Sequence, residues 1–490
     1  MHIKEEKSGY YMEKIRKNGP LISVHHPKLA MVSMLLGAFV GMFSETSLNI
    51  ALPTLVQALQ VNTGTIQWLV TGYMLVIGIV LPLSSLINRW FTTRQVIIFA
   101  LSDFIIGAAI SALGSSFAVV LVGRMIQGIG TGLILPLMFA VVMQIFPPQK
   151  IGAVMGMCAL VIMFAPAVGS TLTGLILGKL SWNWIFWLFI PFLAIALLFA
   201  ITSLENVGNI TRPHVDGLSI VESAIGCSGL VIGVSLSSRF GWLSVPVITA
   251  LATGVVVLAF YTHRQLHLAE PILNLRIFKH RAFAIGTGLV MLDFGIILSS
   301  MYLLPMYVQN GLLLLVAMAG MIMLPGGVTN AITSAIAGRL YDNVVAKHPA
   351  LVGVVLALVG VLMLLTTSTR TTVTFVIAAH VILIIGCPLF MAPSQTSALN
   401  ALPGISSNDG STILNTMQQI VGAVATAVAT SLLELGRRGT AGTAAARFTT
   451  GAHYGFCFTL ILAIIAFVFV INDSGTRKSK IILAINYKIN

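Results

Sequence analysis

Charge is what this sequence has least of. Only 8% of its 490 residues are Asp, Glu, Lys or Arg, and just 14 are acidic, whereas a soluble domain carries roughly a quarter charged residues to face water. So few charges cannot clothe a large globular surface. A water-soluble protein is excluded, and most of the surface must meet hydrocarbon. Cysteine is equally sparse. Cys158, Cys227, Cys387 and Cys457 lie far apart, each within an apolar run, which leaves no disulfide framework and no metal-ligand spacing; buried thiols are expected. The histidines are scattered without an HExxH pair, and His380 alone lies deep in an apolar run, so no metal and no cofactor is expected. Gly174 to Lys179 is one residue short of a phosphate-binding loop and is followed by Leu180. The glycines of Gly128 to Gly132 sit inside a hydrophobic run with no strand before them. Neither string is a nucleotide site.

What the sequence has in quantity is apolar runs, with 57% hydrophobic residues. Runs of bilayer-spanning length cover 29–51, 66–87, 96–113, 117–146, 151–177 and 184–202. After a polar break at 205–217, with Arg212, Pro213, His214 and Asp216, come 218–236 and 242–261. Six more cover 283–308, 312–337, 350–367, 373–389, 412–435 and 455–471. The reading is an all-α integral membrane protein of fourteen spans grouped six, two, six. Its expected divisions are a polar segment 1–28, a six-helix bundle 29–204, two additional helices with linkers 205–282, a second six-helix bundle 283–471 and a tail 472–490. Residues 1–28 lack an apolar core, so they do not read as a cleavable signal.

The formal charge of +13 comes from short basic clusters between spans, so nucleic acid is not expected as a partner. With the N-terminus in the cytoplasm, alternation of sides puts about 20 of the 27 Lys and Arg inside. An even span count returns the basic tail, Arg477, Lys478 and Lys480, to the same side. The expected location is a cell membrane, bacterial, with both termini cytoplasmic.

A carboxylate in hydrocarbon costs roughly 3 kcal/mol or more to insert and usually faces a cavity or a partner. Glu45, late in the first span, shares a face with Gly37, Gly41 and Asn49; Asp293 lies mid-span in the ninth, between Gly286 and Ser300. Each opens one half of the six-two-six scheme. Both are expected to take up a proton when desolvated and to release it when a cavity opens. Asp103 and Glu222 are weaker candidates, since either could reach an interface. In the fourth span Arg124, Gln127, Gly128, Thr131 and Gly132 fall on one side at helical spacing. A buried guanidinium needs a partner, and Glu45 is the attractive one, directly or through water. Pro166, with Ala165, Ala167 and Gly169 beside it, suits a bend where another helix approaches closely.

These residues together resemble the fourteen-span drug:proton antiporter branch of the major facilitator superfamily, the EmrB and QacA type, over nearly the whole chain. Ser44-Glu45-Thr46-Ser47-Leu48-Asn49-Ile50-Ala51-Leu52-Pro53 is similar to its first-helix motif, and Gln67-Trp68-Leu69-Val70-Thr71-Gly72-Tyr73 to the opening of its second helix. Arg124 with Gln127, Gly128 and Gly130 matches the fourth-helix motif linked there to proton coupling, and Pro166 with Gly169 matches the antiporter motif of the fifth. After the second span Arg89 and Arg94 match, but Ser84 and Asn88 stand where the family prefers Gly and Asp. Gating through a carboxylate of that loop is therefore not expected. The first-span acid with Phe164-Ala165-Pro166 looks most like the lincomycin-resistance subgroup.

The resemblance implies a non-enzymatic, monomeric exporter of amphipathic or cationic antibiotics, lincosamides among them, working by alternating access in exchange for protons. Glu45, Asp293 and Arg124 would couple protons; Asn49, Gln67, Gln127, Pro166, Gly169, Arg89 and Asp103 would line or gate the cavity. Drug, protons and lipid are its expected partners. Export of an endogenous metabolite or peptide fits the same residues. A non-transporting receptor would not keep two intramembrane acids, and an enzyme lacks a paired-acid, Ser/His or metal constellation.

Overall fold

In the computed structural model the described residues are 22 and 24–472, apart from 62, 208, 209, 212–215, 269, 344–346, 403–405 and 440. The basic N-terminal segment, Arg212, Pro213 and His214 of the polar break, and the basic tail lie outside them. The described chain is built of fourteen long helices: α1 (Pro27–Ala58), α2 (Trp68–Trp90), α3 (Thr93–Leu113), α4 (Phe117–Ile145), α5 (Pro148–Lys179), α6 (Asn183–Ser203), α7 (Gly217–Phe240), α8 (Val245–His267), α9 (Arg281–Asn310), α10 (Val316–Asn343), α11 (Lys347–Leu365), α12 (Val373–Asn400), α13 (Ser407–Gly439) and α14 (Ala444–Asn472). Thirteen of them are long and apolar enough to cross a bilayer, and α5 carries a shorter apolar stretch, Lys150–Pro166. A backbone in lipid must satisfy its own N–H and C=O groups, which is why such runs form helices in spite of internal Pro82, Pro136, Pro166, Pro191, Pro305, Pro325, Pro388 and Pro393. Helix starts follow local chemistry. Thr92 and Gln95 form a reciprocal capping box at α3, and Pro stands in the first turn of α1, α5 and α8.

Helices α1–α6 pack on one another and α9–α14 pack on one another; the two groups meet where α5 crosses α10 and α12, and where α13 crosses α2 and α4. The α5–α10 crossing is tight because it is made of glycine. A Cβ on Gly156 would fall 2.6 Å from the Ser334 carbonyl oxygen, and one on Gly338 would fall 2.2 Å from that of Gly152. Helices α7 and α8 form a hairpin closed by Gly229 against Gly254, and α7 lies over the seam, against both α2 and α13. Large apolar side chains such as Phe99, Ile106, Leu198 and Phe260 point outward; in a bilayer they form the lipid-facing surface. Cys158, Cys227 and Cys387 are buried as expected, but Cys457 is exposed on this surface, because α14 turns that side away from its neighbours.

Candidate functional site

The site starts from an arginine that no water reaches. Arg124, two turns into α4, is 0% exposed, and a guanidinium there must be solvated by protein. Its Nε–H donates to the Leu69 carbonyl of α2 (3.3 Å), and Nη1 donates to Gln127 Oε1 (2.7 Å) and to Ser44 Oγ of α1. The Tyr73 ring of α2 covers its plane, with Cζ 3.9 Å from the ring centroid. The Tyr73 hydroxyl in turn donates to the Gly41 carbonyl (3.0 Å) and pairs with Thr131 Oγ1 (2.8 Å). Three helices therefore build one cage around one positive charge.

Glu45, the expected partner, lies close enough for Arg124 to act on it electrostatically, yet it makes no ion pair with Arg124 within bonding distance among the described residues. Its Oε2 is shielded and has no hydrogen-bond partner; Arg124 Nη2 and Gln127 Nε2 are in the same state. The direct form of the expected contact is thus not made in this conformation: neutral acceptors engage Nε and Nη1 and an aromatic face covers the plane, while Nη2 stays without a partner. The other residues of this half take different places. Asn49 is exposed and its amide donates to the Glu45 carbonyl (3.3 Å), while Gln67 is exposed at the start of α2. Asp103 braces α3 to α4 by accepting from the Gly130 N–H (3.1 Å). Pro166 is buried, and a Cβ on Gly169 would fall 2.6 Å from Thr46 Oγ1, so α5 meets α1 at the residue next to Glu45.

Asp293 belongs to a separate cluster. It is 0% exposed at the α9–α12 contact, beside the Cys387 thiol, and neither carboxylate oxygen has a regular hydrogen-bond partner. His380, two turns before Cys387, is buried against Gly326 of α10 with its Nδ1 unpartnered. The structure brings Glu45, Arg124 and Gln127 together and leaves Asp293 with α12.

Arg89 lies in a third place, at the end of the seam. Its Nη2 is 2.6 Å from Asp409 Oδ2 at the start of α13, and its Nη1 donates to the Pro271 carbonyl (3.3 Å) in the linker after α8. Asp409 also accepts from Ser85 Oγ and from the Asn274 N–H, and Ser84 pairs with Thr412 (3.0 Å). Sequence reading missed Asp409 and Tyr73. Asp409 sits just before the thirteenth apolar run, where an acid reads as an ordinary helix start. Tyr73 lay inside a quoted motif, but a tyrosine gives no hint from spacing that it will cover an arginine.

Outside the spans, Arg264 grips Asp216 through two bonds, Nε to Oδ2 (2.7 Å) and Nη2 to Oδ1 (3.0 Å), and holds its carboxyl well down, at about 2. Gln265 Oε1 accepts from the N–H of Ile272 (2.7 Å), which fixes the linker that carries Pro271. Glu205 accepts from the His25 N–H (2.8 Å), which lowers its carboxyl and ties the approach to α1 to the end of α6.

Comparison with known proteins gives the same reading. Residues 34–426 match the model of the Major Facilitator Superfamily. The lincomycin resistance protein LmrB of Bacillus subtilis (strain 168) is 44% identical over 449 residues, 89% of this chain and 94% of that protein. LmrB of Listeria monocytogenes is 42% identical over the same shares. Among solved structures, the human organic anion transporter MFSD10 (TETRAN) superposes with a TM-score of 0.65 at 15% identity, covering 91% of this chain and 99% of that one. At that identity the likeness speaks for the fold. An all-helical, multi-pass membrane chain matched by the family over most of its length is a non-enzymatic transporter that belongs to the Major Facilitator Superfamily.

Proposed function

We propose that the chain is a proton-coupled exporter of amphipathic or cationic drugs, lincosamides among them, working by alternating access. Helices α1–α6 and α9–α14 are the two moving bundles, α7 and α8 are an insertion between them, and the face carrying Arg89 and Asp409 is cytoplasmic. The observation that carries the coupling is Glu45. It is an intramembrane acid whose Oε2 has no protein partner, next to a guanidinium whose Nε and Nη1 are engaged by other groups. An acid so placed can exchange a proton without first breaking an ion pair. Asp293, buried in the other bundle beside the Cys387 thiol, is the second coupling group. The names of the relatives support antibiotic export, since both LmrB proteins are described as lincomycin resistance proteins.

The test uses purified protein in liposomes loaded with lincomycin or ethidium, with an imposed pH gradient. Efflux that follows the gradient is expected, together with its loss in Glu45→Gln and a partial loss in Asp293→Asn, both variants still inserting normally. Efflux indifferent to the gradient refutes proton coupling, and wild-type efflux by Glu45→Gln removes that acid from the mechanism.

A further inference from the structure

Coupling by Glu45 requires that Arg124 not capture it. An arginine and a glutamate in one low-dielectric pocket attract strongly, and a closed pair would hold the carboxylate ionised through the cycle. The pocket avoids this by giving the guanidinium other company. Leu69 O and Gln127 Oε1 accept from it at 3.3 and 2.7 Å, Ser44 Oγ accepts beside them, and the Tyr73 ring lies 3.9 Å from Cζ. The face of an aromatic ring is its negative side, so the ring stabilises the cation without carrying a charge.

We propose that Tyr73 is a positioning residue for proton coupling: its ring compensates the Arg124 charge and so keeps Glu45 free to bind and release a proton. This rests on the Glu45 reading above. The ring cannot drift from its place. Tyr73 is wholly buried, and its hydroxyl is pinned to Gly41 of α1, one turn before Glu45, and to Thr131 of α4, two turns after Arg124. The helices that bear the acid and the arginine are thus clamped to the helix that bears the ring. Tyr73 and Glu45 are the charged or titratable groups that act on Arg124, and Arg124 is the one that acts on Glu45 with Tyr73 beside it. The remaining elements packed on α1 and α4 bring none to this pocket. Asp103 of α3 is engaged by Gly130, Lys150, Cys158 and Lys179 of α5 do not act on the pair, α6 has no ionisable side chain, and Asp409 of α13 is held by Arg89.

The proposal separates the ring from the hydroxyl. Tyr73→Phe keeps the π face, whereas Tyr73→Leu and Tyr73→Met remove it with side chains of similar volume, Met being the more adaptable in shape. The readout is the infrared C=O band of protonated Glu45 in the purified full chain in lipid, identified by its loss in Glu45→Gln and titrated with pH. Without the ring, the guanidinium's attraction falls on Glu45, and the titration midpoint moves to lower pH by roughly one unit, the worth of a desolvated cation–π contact. Tyr73→Phe is expected to stay close to wild type. A midpoint unmoved in both Tyr73→Leu and Tyr73→Met, or moved equally in Tyr73→Phe, overturns the role of the ring. A wild-type protein in which no Glu45 band titrates overturns the coupling reading itself. Should Tyr73→Leu fail to fold, Tyr73→Met alone decides.

Discussion

Removing Arg89 should unlock one end of the seam by an amount the structure allows to be bounded. Asp409 is 2% exposed and Arg89 23% exposed, so the pair is largely desolvated. Deleting one partner of such a pair costs about 3–5 kcal/mol because a buried charge is left alone. Here Ser85 and the Asn274 N–H stay with the carboxylate, which brings Arg89→Ala toward about 2–3 kcal/mol, a shift of roughly 30- to 150-fold in the opening equilibrium. Asp409→Asn should cost less, about 1 kcal/mol, since the partly exposed guanidinium retains the Pro271 carbonyl and water. A thiol reporter reads this directly. Ser411, two residues from Asp409 and 0% exposed, becomes Cys in a chain whose exposed Cys457 is replaced by Ser. Its rate of maleimide modification follows the open fraction when opening is fast. Arg89→Ala should accelerate modification by one to two orders of magnitude and Asp409→Asn by several-fold. An Arg89→Ala rate equal to that of the reporter alone, or a larger effect from Asp409→Asn, would show that this pair does not hold the seam.

Two further outcomes follow from packing and charge. Gly338→Ala puts a methyl 2.2 Å from the Gly152 oxygen, where backbone must move; overpacking of about 1–3 kcal/mol should separate α5 from α10, seen as faster Ser411→Cys modification and a lower thermal midpoint, and unchanged values would mean that the crossing has slack. Asp216, held at about 2 by Arg264, has a carboxyl below the usual ~3.9 of aspartate, so its contribution is present above about pH 4 and fades as pH falls toward 2. Asp216→Asn should lower thermal stability at pH 7 by the small amount of a partly exposed pair, under about 1 kcal/mol, with the gap to wild type closing between pH 4 and pH 2; a constant gap would assign the loss to packing.

The fold was legible because lipid imposes one rule on every span. Length and hydropathy found each helix, and differences occur at ends such as α14, which begins at Ala444, and α13, which begins at Ser407, where polar residues continue helices beyond the apolar run. The candidate coupling residues stood out for a similar reason: an acid or arginine in hydrocarbon is costly enough to be noticed. Partnership was not legible. Whether Arg124 meets Glu45 or Tyr73 depends on helix rotation, which a period of 3.6 leaves free between neighbours. Asp103 was the weaker candidate by the same cost argument, and which backbone group it accepts from, the Gly130 N–H of α4, was not readable from spacing. Asp409 escaped because an acid at the start of a helix is common for reasons of the helix dipole alone.

The linkers around the inserted hairpin lead somewhere. The Thr211 N–H, before α7, bonds the Arg89 carbonyl (3.1 Å), while Pro271 and Asn274, after α8, bond Arg89 and Asp409. The hairpin is therefore strapped at both its roots to the lock between the bundles, while much of its outer surface faces lipid. Membranes of different thickness tilt such helices at a cost of fractions of a kcal/mol per Å. A tilt of this pair loads the lock itself, so bilayer thickness enters the energetics of opening as a mechanical variable.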